Sequence, residues 1–396
     1  NLIAVSVDNS HHPDIAPLSA DFTFFGGIYR DVYLVYTSPV QLSTTHYASS
    51  GVYLKASKIT DLQANISVKT FLSNALKSNQ SLILETEILD ADGNRVALSQ
   101  KKVNVKAEEK NVAFESLMTI TQPKRWDVDS PYIYKVYSRL KNKKEEVLDC
   151  VVNPLGIREY RFDAEKGFFL NGKYRKLIGT SRHQDYKGMG NALRDEMHIR
   201  DVQLSKDMGS NFLRVAHYPQ DPVVMQMCDK LGLLTSVEIP VVNAITQSKA
   251  FMDNCVEQVT EMVYQNYNYP SVIIWAYMNE VLLRPPFNPE NRTERADYMT
   301  FLHQIASAVE AQIRSLDSER YTMLPCHSTS QIYQEAGIAE LPMLLGFNLY
   351  NGWYGGSLSG FEEKLEELHR EFPHKPLLIT EYGADVDTRI HSFSPM

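Results

Sequence analysis

The sequence predicts a β plus α/β protein in three parts. They are the tail of one β-sandwich, an immunoglobulin-like β-sandwich, and a (β/α)₈ barrel that stops before its eighth strand. Three observations predict this. Up to about residue 153, apolar residues alternate in short β-rich runs. From about 154, strand-like runs alternate with amphipathic stretches, the pattern of βα units. Two of those later runs end alike, an apolar strand closed by a glutamate.

Residues 1–36 hold two β-rich runs, 1–7 and 27–36, around the loop His11-His12-Pro13-Asp14-Ile15-Ala16-Pro17. Two strands do not make a stable domain, so this segment reads as the tail of a larger sandwich. The opening alternates like a strand and has no signal-peptide h-region.

Residues 37–153 read as β throughout, with strands at 52–56, 64–70, 81–89, 96–105 and 132–140. Asp90-Ala91-Asp92-Gly93-Asn94 is a hairpin turn with a glycine free to take positive φ. The charged run Lys141-Asn142-Lys143-Lys144-Glu145-Glu146 reads as a solvated hairpin tip. Strands at this spacing fit an immunoglobulin-like sandwich.

Residues 154–396 read as the barrel domain. Its strands are expected at 174–179, 211–216, 233–238, 272–278, 321–325, 343–347 and 377–380. Helices are expected at 196–208, 223–231, 251–266, 294–316 and 361–371. The strands recur about every 33 residues, close to the roughly 30 residues per unit of a (β/α)₈ barrel. An eighth strand at that spacing would lie beyond Met396. An open doubly wound sheet fits less well, because no Gly-rich phosphate turn follows any strand.

The two glutamate-ended runs carry the chemistry. One is Ser271-Val272-Ile273-Ile274-Trp275-Ala276-Tyr277-Met278-Asn279-Glu280 after Pro270, the other Leu377-Leu378-Ile379-Thr380-Glu381 after Pro376. A continuous apolar run is a strand buried on both faces, and ligands bind beyond the carboxyl ends of such strands. Two carboxyl groups there suit acid/base and nucleophilic work at an acetal carbon. Other strand ends add Ser181-Arg182-His183-Gln184-Asp185, Arg214-Val215-Ala216-His217-Tyr218-Pro219, Glu238, and Asn348-Leu349-Tyr350-Asn351-Gly352-Trp353-Tyr354. Taken singly, each glutamate reads equally well as the partner of a nearby arginine.

These motifs resemble glycoside hydrolase family 2, the family of β-galactosidases, β-glucuronidases and β-mannosidases. Phe25-Gly26-Gly27-Ile28-Tyr29-Arg30-Asp31-Val32 resembles the end of its jelly-roll domain, and Trp126 through Tyr134 a turn of its sandwich. Gly179 to Asp185, His217-Tyr218-Pro219, Trp275 to Glu280 and Ile379 to Gly383 resemble its barrel motifs. The resemblance implies a retaining exo-β-glycosidase with Glu280 as general acid/base and Glu381 as nucleophile. It implies sugar contacts from Asp21, His183, His217, Asn279, Asn348, Tyr350 and Trp353. Among sugars this reading puts β-galactoside first, with β-glucuronide or β-mannoside as the alternative. The Glu-x-His that holds Mg²⁺ in well-known β-galactosidases is missing after Glu238, so no cofactor is expected, with Mg²⁺ as the alternative. The segment from Asn348 to Tyr354 looks more like the β-glucuronidase version. That subgroup's Asn-Lys motif would fall beyond Met396.

Two readings from other classes compete. A non-catalytic carbohydrate-binding protein on this scaffold is expected to lose one glutamate, and both are present. A barrel aldolase or isomerase needs a lysine or metal cluster at the strand ends, and no lysine is there. The composition is ordinary, with 43% hydrophobic and 22% charged residues over 396, enough for a large core. A formal charge of −8 gives nucleic acid or an anionic membrane no attraction, so the expected partner is a carbohydrate substrate. Homo-oligomerisation and compartment stay open. Cys150, Cys228, Cys255 and Cys326 have no metal-ligand spacing and read as free thiols.

Overall fold

The computed structural model describes residues 2–384. Eight strands build the sandwich: β1 (Val40–Leu42), β2 (Val52–Ser57), β3 (Gln63–Asn74), β4 (Gln80–Leu89), β5 (Arg95–Val105), β6 (Val112–Thr121), β7 (Tyr134–Lys141) and β8 (Val147–Leu155). In one sheet β3 pairs with β6 along one edge and with β1 and β2 along the other. The second sheet runs β5-β4-β7-β8, all antiparallel. Inward residues such as Ile66, Val68, Leu84, Ile88 and Val136 form the core between them. The charged run at 141–146 is indeed the β7–β8 turn, and Gly93 takes φ +84° in the β4–β5 turn. Strands β1, β6 and β8 were not expected from the sequence. β6 puts one face in solvent, so its apolar signal is diluted.

A small antiparallel sheet follows: β9 (Tyr160–Asp163), β10 (Gly167–Leu170) and β11 (Lys173–Arg175). It closes the floor of the barrel. Phe168 and Leu170 share a core with Ile273, Ile274, Met323 and Leu344 of the barrel strands. The Tyr160 hydroxyl donates to the Ile273 carbonyl at 3.3 Å.

The barrel is a parallel sheet in chain order: β12 (Gly179–Arg182), β13 (Phe212–Val215), β14 (Leu234–Glu238), β15 (Val272–Ala276), β16 (Tyr321–His327), β17 (Leu344–Asn348) and β18 (Leu377–Glu381). Helices α1 (Asp195–Asp207), α2 (Pro222–Leu231), α3 (Lys249–Asn266), α4 (Arg292–Leu316), α5 (Gln331–Glu335) and α6 (Gly360–Glu371) connect them. Strands β14, β15 and β17 are buried along their whole length, while every residue of β18 is half-exposed. β12 and β18 face each other across a seam without backbone pairing among the described residues. Side chains bridge it: the Ser181 hydroxyl reaches the Thr380 carbonyl at 3.4 Å.

Two expectations need correction. The first barrel strand is Gly179–Arg182, not 174–179. Tyr174 belongs to β11, and the true strand, Gly179-Thr180-Ser181-Arg182, is polar and carries no apolar run. Secondly, the runs 1–7 and 27–36 form no strands among the described residues, and residue 1 lies outside these. Alternation marks a potential strand, but a strand needs a partner edge for its backbone. The described residues hold none beside them, and among these Leu2, Ile3, Val32 and Tyr36 are exposed. The loop between the runs is pinned instead. Ala16 joins the barrel core, and its amide donates to Asn254 Oδ1 at 3.2 Å.

The four cysteines are free thiols; Cys150 is exposed and the other three are buried. No described helix is long and apolar enough to cross a membrane.

Candidate active site

The carboxyl ends of the barrel strands converge on Arg214. It is a lone cation in the apolar run of β13, and its side chain is 3% exposed. A buried guanidinium must be paired, and this one is paired through both of its Nη atoms, while Nε has no partner among the described residues. Nη1 donates to Glu381 Oε1 at 2.5 Å. Nη2 lies 3.1 Å from Glu238 Oε1 and 2.9 Å from Asn279 Oδ1. Glu238 ends β14 in full burial. Burial pushes its carboxyl up, but Arg214 and His217 outweigh that and hold it below the usual range.

His217 completes this cluster. Its Nδ1 is 2.5 Å from Glu238 Oε1, so with Glu238 ionised Nδ1 is the donor. Nε2 then faces Glu381 Oε1 at 3.6 Å. His183 lies beside it, with ring centres 5.2 Å apart and Nδ1 3.3 Å from the Tyr218 hydroxyl. Burial and then His217 lower the His183 pKa, which keeps that ring neutral.

Glu381 is held at both oxygens. Arg214 takes Oε1, and the Tyr350 hydroxyl donates to Oε2 at 2.8 Å. Burial, and then the Glu381 charge, push the Tyr350 phenol well above its ordinary value, so it stays a donor.

Glu280 has different company. Its one hydrogen bond from a described side chain is from the Asn348 amide, at 2.9 Å to Oε1. Burial raises its pKa, the Asn348 bond offsets part of that, and the charge of Glu381 adds to the rise. The two carboxyl groups are therefore electrostatically coupled. Glu280 also sits at φ +48°, a left-handed backbone costly for a residue with a Cβ. Its amide donates to the Pro325 carbonyl at 2.9 Å, which fixes this turn at the strand end.

Asn279 and Asn348 link the two halves. Asn279 Oδ1 accepts from Arg214 and, at 3.2 Å, from Asn348 Nδ2. Thr380 Oγ1 donates to Asn348 Oδ1 at 2.7 Å, which orients that amide. With its oxygen committed, Asn279 keeps its NH₂ as a donor without a partner among the described residues.

Among the expected site residues, Glu280, Glu381, His217, Asn279, Asn348 and Tyr350 form one connected network, and His183 packs against it. Trp353 lies at the rim, half-buried, its ring centre 6.3 Å from that of exposed Tyr354. Asp21 is exposed and makes no hydrogen bond among the described residues, but its charge acts on His183. Its neighbour Phe22 goes further in. That ring centre lies 5.1 Å from His183, 5.9 Å from His217 and 5.2 Å from Tyr218. So the loop of the first segment does reach the mouth.

Sequence reading missed Thr380 and Phe22 as site residues, and gave the strand-end residues Arg214 and Glu238 no role. The signal for Arg214 was available, because a charge inside an apolar parallel strand has to meet a partner. Among the described residues, no group of three or more His, Cys, Asp or Glu side chains is arranged to hold a metal ion.

Two family models match the chain. Residues 163–392 match the TIM barrel domain of glycosyl hydrolases family 2, and residues 50–158 match a second domain of the same family. The chain belongs to glycosyl hydrolases family 2. A β-glucuronidase of Bacteroides fragilis is 34% identical over 97% of this chain and 53% of its own length. A β-galactosidase of Bacteroides ovatus is 27% identical over 98% of this chain and 46% of its own. A solved structure of Bacteroides uniformis β-glucuronidase 2, covalently bound to cyclophellitol-6-carboxylate aziridine, superposes with a TM-score of 0.94. It is 39% identical, over 98% of this chain and 46% of that one. The chain thus spans about half the length of these family 2 relatives.

Proposed function

We propose that this chain carries the catalytic centre of a retaining exo-β-glycosidase acting on terminal β-glucuronides. The contrast between Glu280 and Glu381 carries the reading. A retaining reaction needs one carboxyl that donates a proton and one carboxylate that attacks carbon, about 5–5.5 Å apart.

Glu280, raised by burial, donates its proton to the leaving glycosidic oxygen. Glu381 attacks the anomeric carbon, and the bond to the leaving group breaks with its electron pair going to that oxygen. Arg214 and Tyr350 aim the attacking carboxylate. The free NH₂ of Asn279 meets the sugar 2-hydroxyl, where a hydrogen bond strengthens in the transition state. Glu280, now ionised, takes a proton from water, and that water releases the sugar from Glu381 with retention. His183, His217 and Asp21 line the place of the sugar hydroxyls, and Trp353 offers an apolar face at the rim.

Sequence reading alone puts β-galactoside first. The relatives support the opposite order, since those at 34% and 39% identity over nearly the whole chain bear the name β-glucuronidase and the Bacteroides ovatus galactosidase, over the same share, stands at 27%. The covalent ligand of the Bacteroides uniformis protein also carries a 6-carboxylate. The test is kcat/KM on p-nitrophenyl glycosides with the full-length protein. The glucuronide is expected to exceed the galactoside and mannoside. A galactoside preference would reverse the assignment and leave the catalytic pair standing.

A further inference from the structure

At the opposite end of the barrel from the two glutamates, a crevice of about 380 Å³ separates the sandwich from the barrel floor. The end of β2, the segment after β8, and the residues leading into β15 and β16 line it. Most of its charges are already matched. Lys55 pairs with Glu319 at 2.9 Å and Arg320 with Asp317 at 2.6 Å, while Glu159 turns away to Arg125.

Arg158 is the exception. Nη2 donates to the Val272 carbonyl at 2.8 Å, and the guanidinium lies 5.4 Å from the centre of the Tyr160 ring. Nε is buried without a partner, Nη1 has no hydrogen-bond partner among the described residues, and the residue lines the crevice. Arg158 forms no ion pair among the described residues. The two carboxyl groups that act on it from a distance are Asp229 and Asp317. Asp317 is committed to Arg320 and to the Trp275 indole at 3.0 Å. Burial pushes Asp229 up to about 7, so it carries only part of a charge at neutral pH. Arg320 adds repulsion. Burial draws the Arg158 pKa down to about 10, which still leaves it charged. Lys58 lines the same crevice, also without an ion pair among the described residues.

We infer that this crevice is a binding site for a small oxyanion, of phosphate or carboxylate type, held between Arg158 and Lys58. A half-buried cation short of counter-charge is costly, and an anion that supplies it binds the folded state alone. Such binding raises stability with ligand concentration. The site lies where sandwich and barrel meet, so its occupant also ties the two domains together.

The test is thermal unfolding of the full-length protein at constant ionic strength, with inorganic phosphate replacing chloride and acetate in a parallel arm. A rise in Tm that saturates at millimolar phosphate is expected. It should vanish in Arg158→Met and persist in Glu381→Gln, whose change lies at the other end of the barrel. A like response to acetate makes the site a general oxyanion site, and none makes it a phosphate site. Should Arg158→Met fail to fold, Lys58→Ala alters an exposed residue and should raise the half-saturating phosphate concentration several-fold. A rise that never saturates and is equal in both variants is the general stabilisation by excluded salts, and it overturns the site. So does loss of the response in Glu381→Gln, or no response at all.

Discussion

Glu280 and Glu381 are the same residue type at the same place on two strands of one barrel, in opposite company. Glu381 accepts from a guanidinium and a phenol, one at each oxygen. Glu280 accepts from one neutral amide and is raised by burial. Nothing in the two strand sequences makes this difference. It comes from β13, which brings Arg214 to one carboxyl, and from β17, which brings Asn348 to the other and Tyr350 just beyond it. The strand fixes where a carboxyl stands, and the neighbouring strands fix what it is able to do.

The comparison breaks most completely at Glu381. Glu381→Gln removes the only group assigned to attack carbon, so no glycosyl-enzyme forms with any leaving group. Turnover of p-nitrophenyl glucuronide should be abolished, and mass spectrometry should find no covalent adduct with an activated fluoroglycoside. An adduct on this variant would mean that the two roles are misassigned.

Arg214 is next. Arg214→Met leaves Glu238 and Glu381 without their cation. Removing one partner of a buried ion pair costs about 3–5 kcal/mol. Urea unfolding should register that loss together with a fall in kcat. A variant of unchanged stability would show that Glu238 and Glu381 do not depend on Arg214.

Asn348 gives the smaller and sharper test. Its hydrogen bond lowers the Glu280 pKa against burial, so Asn348→Ala should raise that pKa further. Glu280 works as an acid, so kcat/KM falls as pH rises through its raised pKa. In Asn348→Ala the alkaline limb should move to higher pH. A limb that stays put or moves down would detach it from Glu280.

Much of this arrangement was legible before the structure. Strands with continuous apolar runs are legible, so β13 to β17 start within one residue of expectation, and half-exposed β18 starts where its run Leu377-Leu378-Ile379 does. The strand-end motifs then placed both glutamates, Asn279, Asn348 and Tyr350 at one mouth. Legibility failed where strands are short or lack an apolar run. β12 at the seam is polar, and the floor strands β9 to β11 are too short to show a period. It failed also at 1–7 and 27–36, where alternation was read as pairing although a partner edge cannot be seen in one strand's own sequence. Arg214 stayed unassigned because its contacts span up to 167 residues of chain. The bland reading of a strand-end glutamate, paired with an arginine, turned out to hold for Glu381 and Glu238. In Glu381 that pairing is part of the proposed chemistry rather than its rival.

The central claim, that Glu280 moves protons and Glu381 bonds to carbon, meets its most direct test in one product analysis. Glu280→Gln in the full-length protein should still release dinitrophenolate, a leaving group that needs no proton. Its glycosyl-enzyme should then accumulate, because the base that activates water is gone. Added azide needs no base, so it should restore turnover and yield the β-glycosyl azide. Rescue of Glu381→Gln instead, with an α-glycosyl azide, and no response of Glu280→Gln, would contradict the account and exchange the two roles.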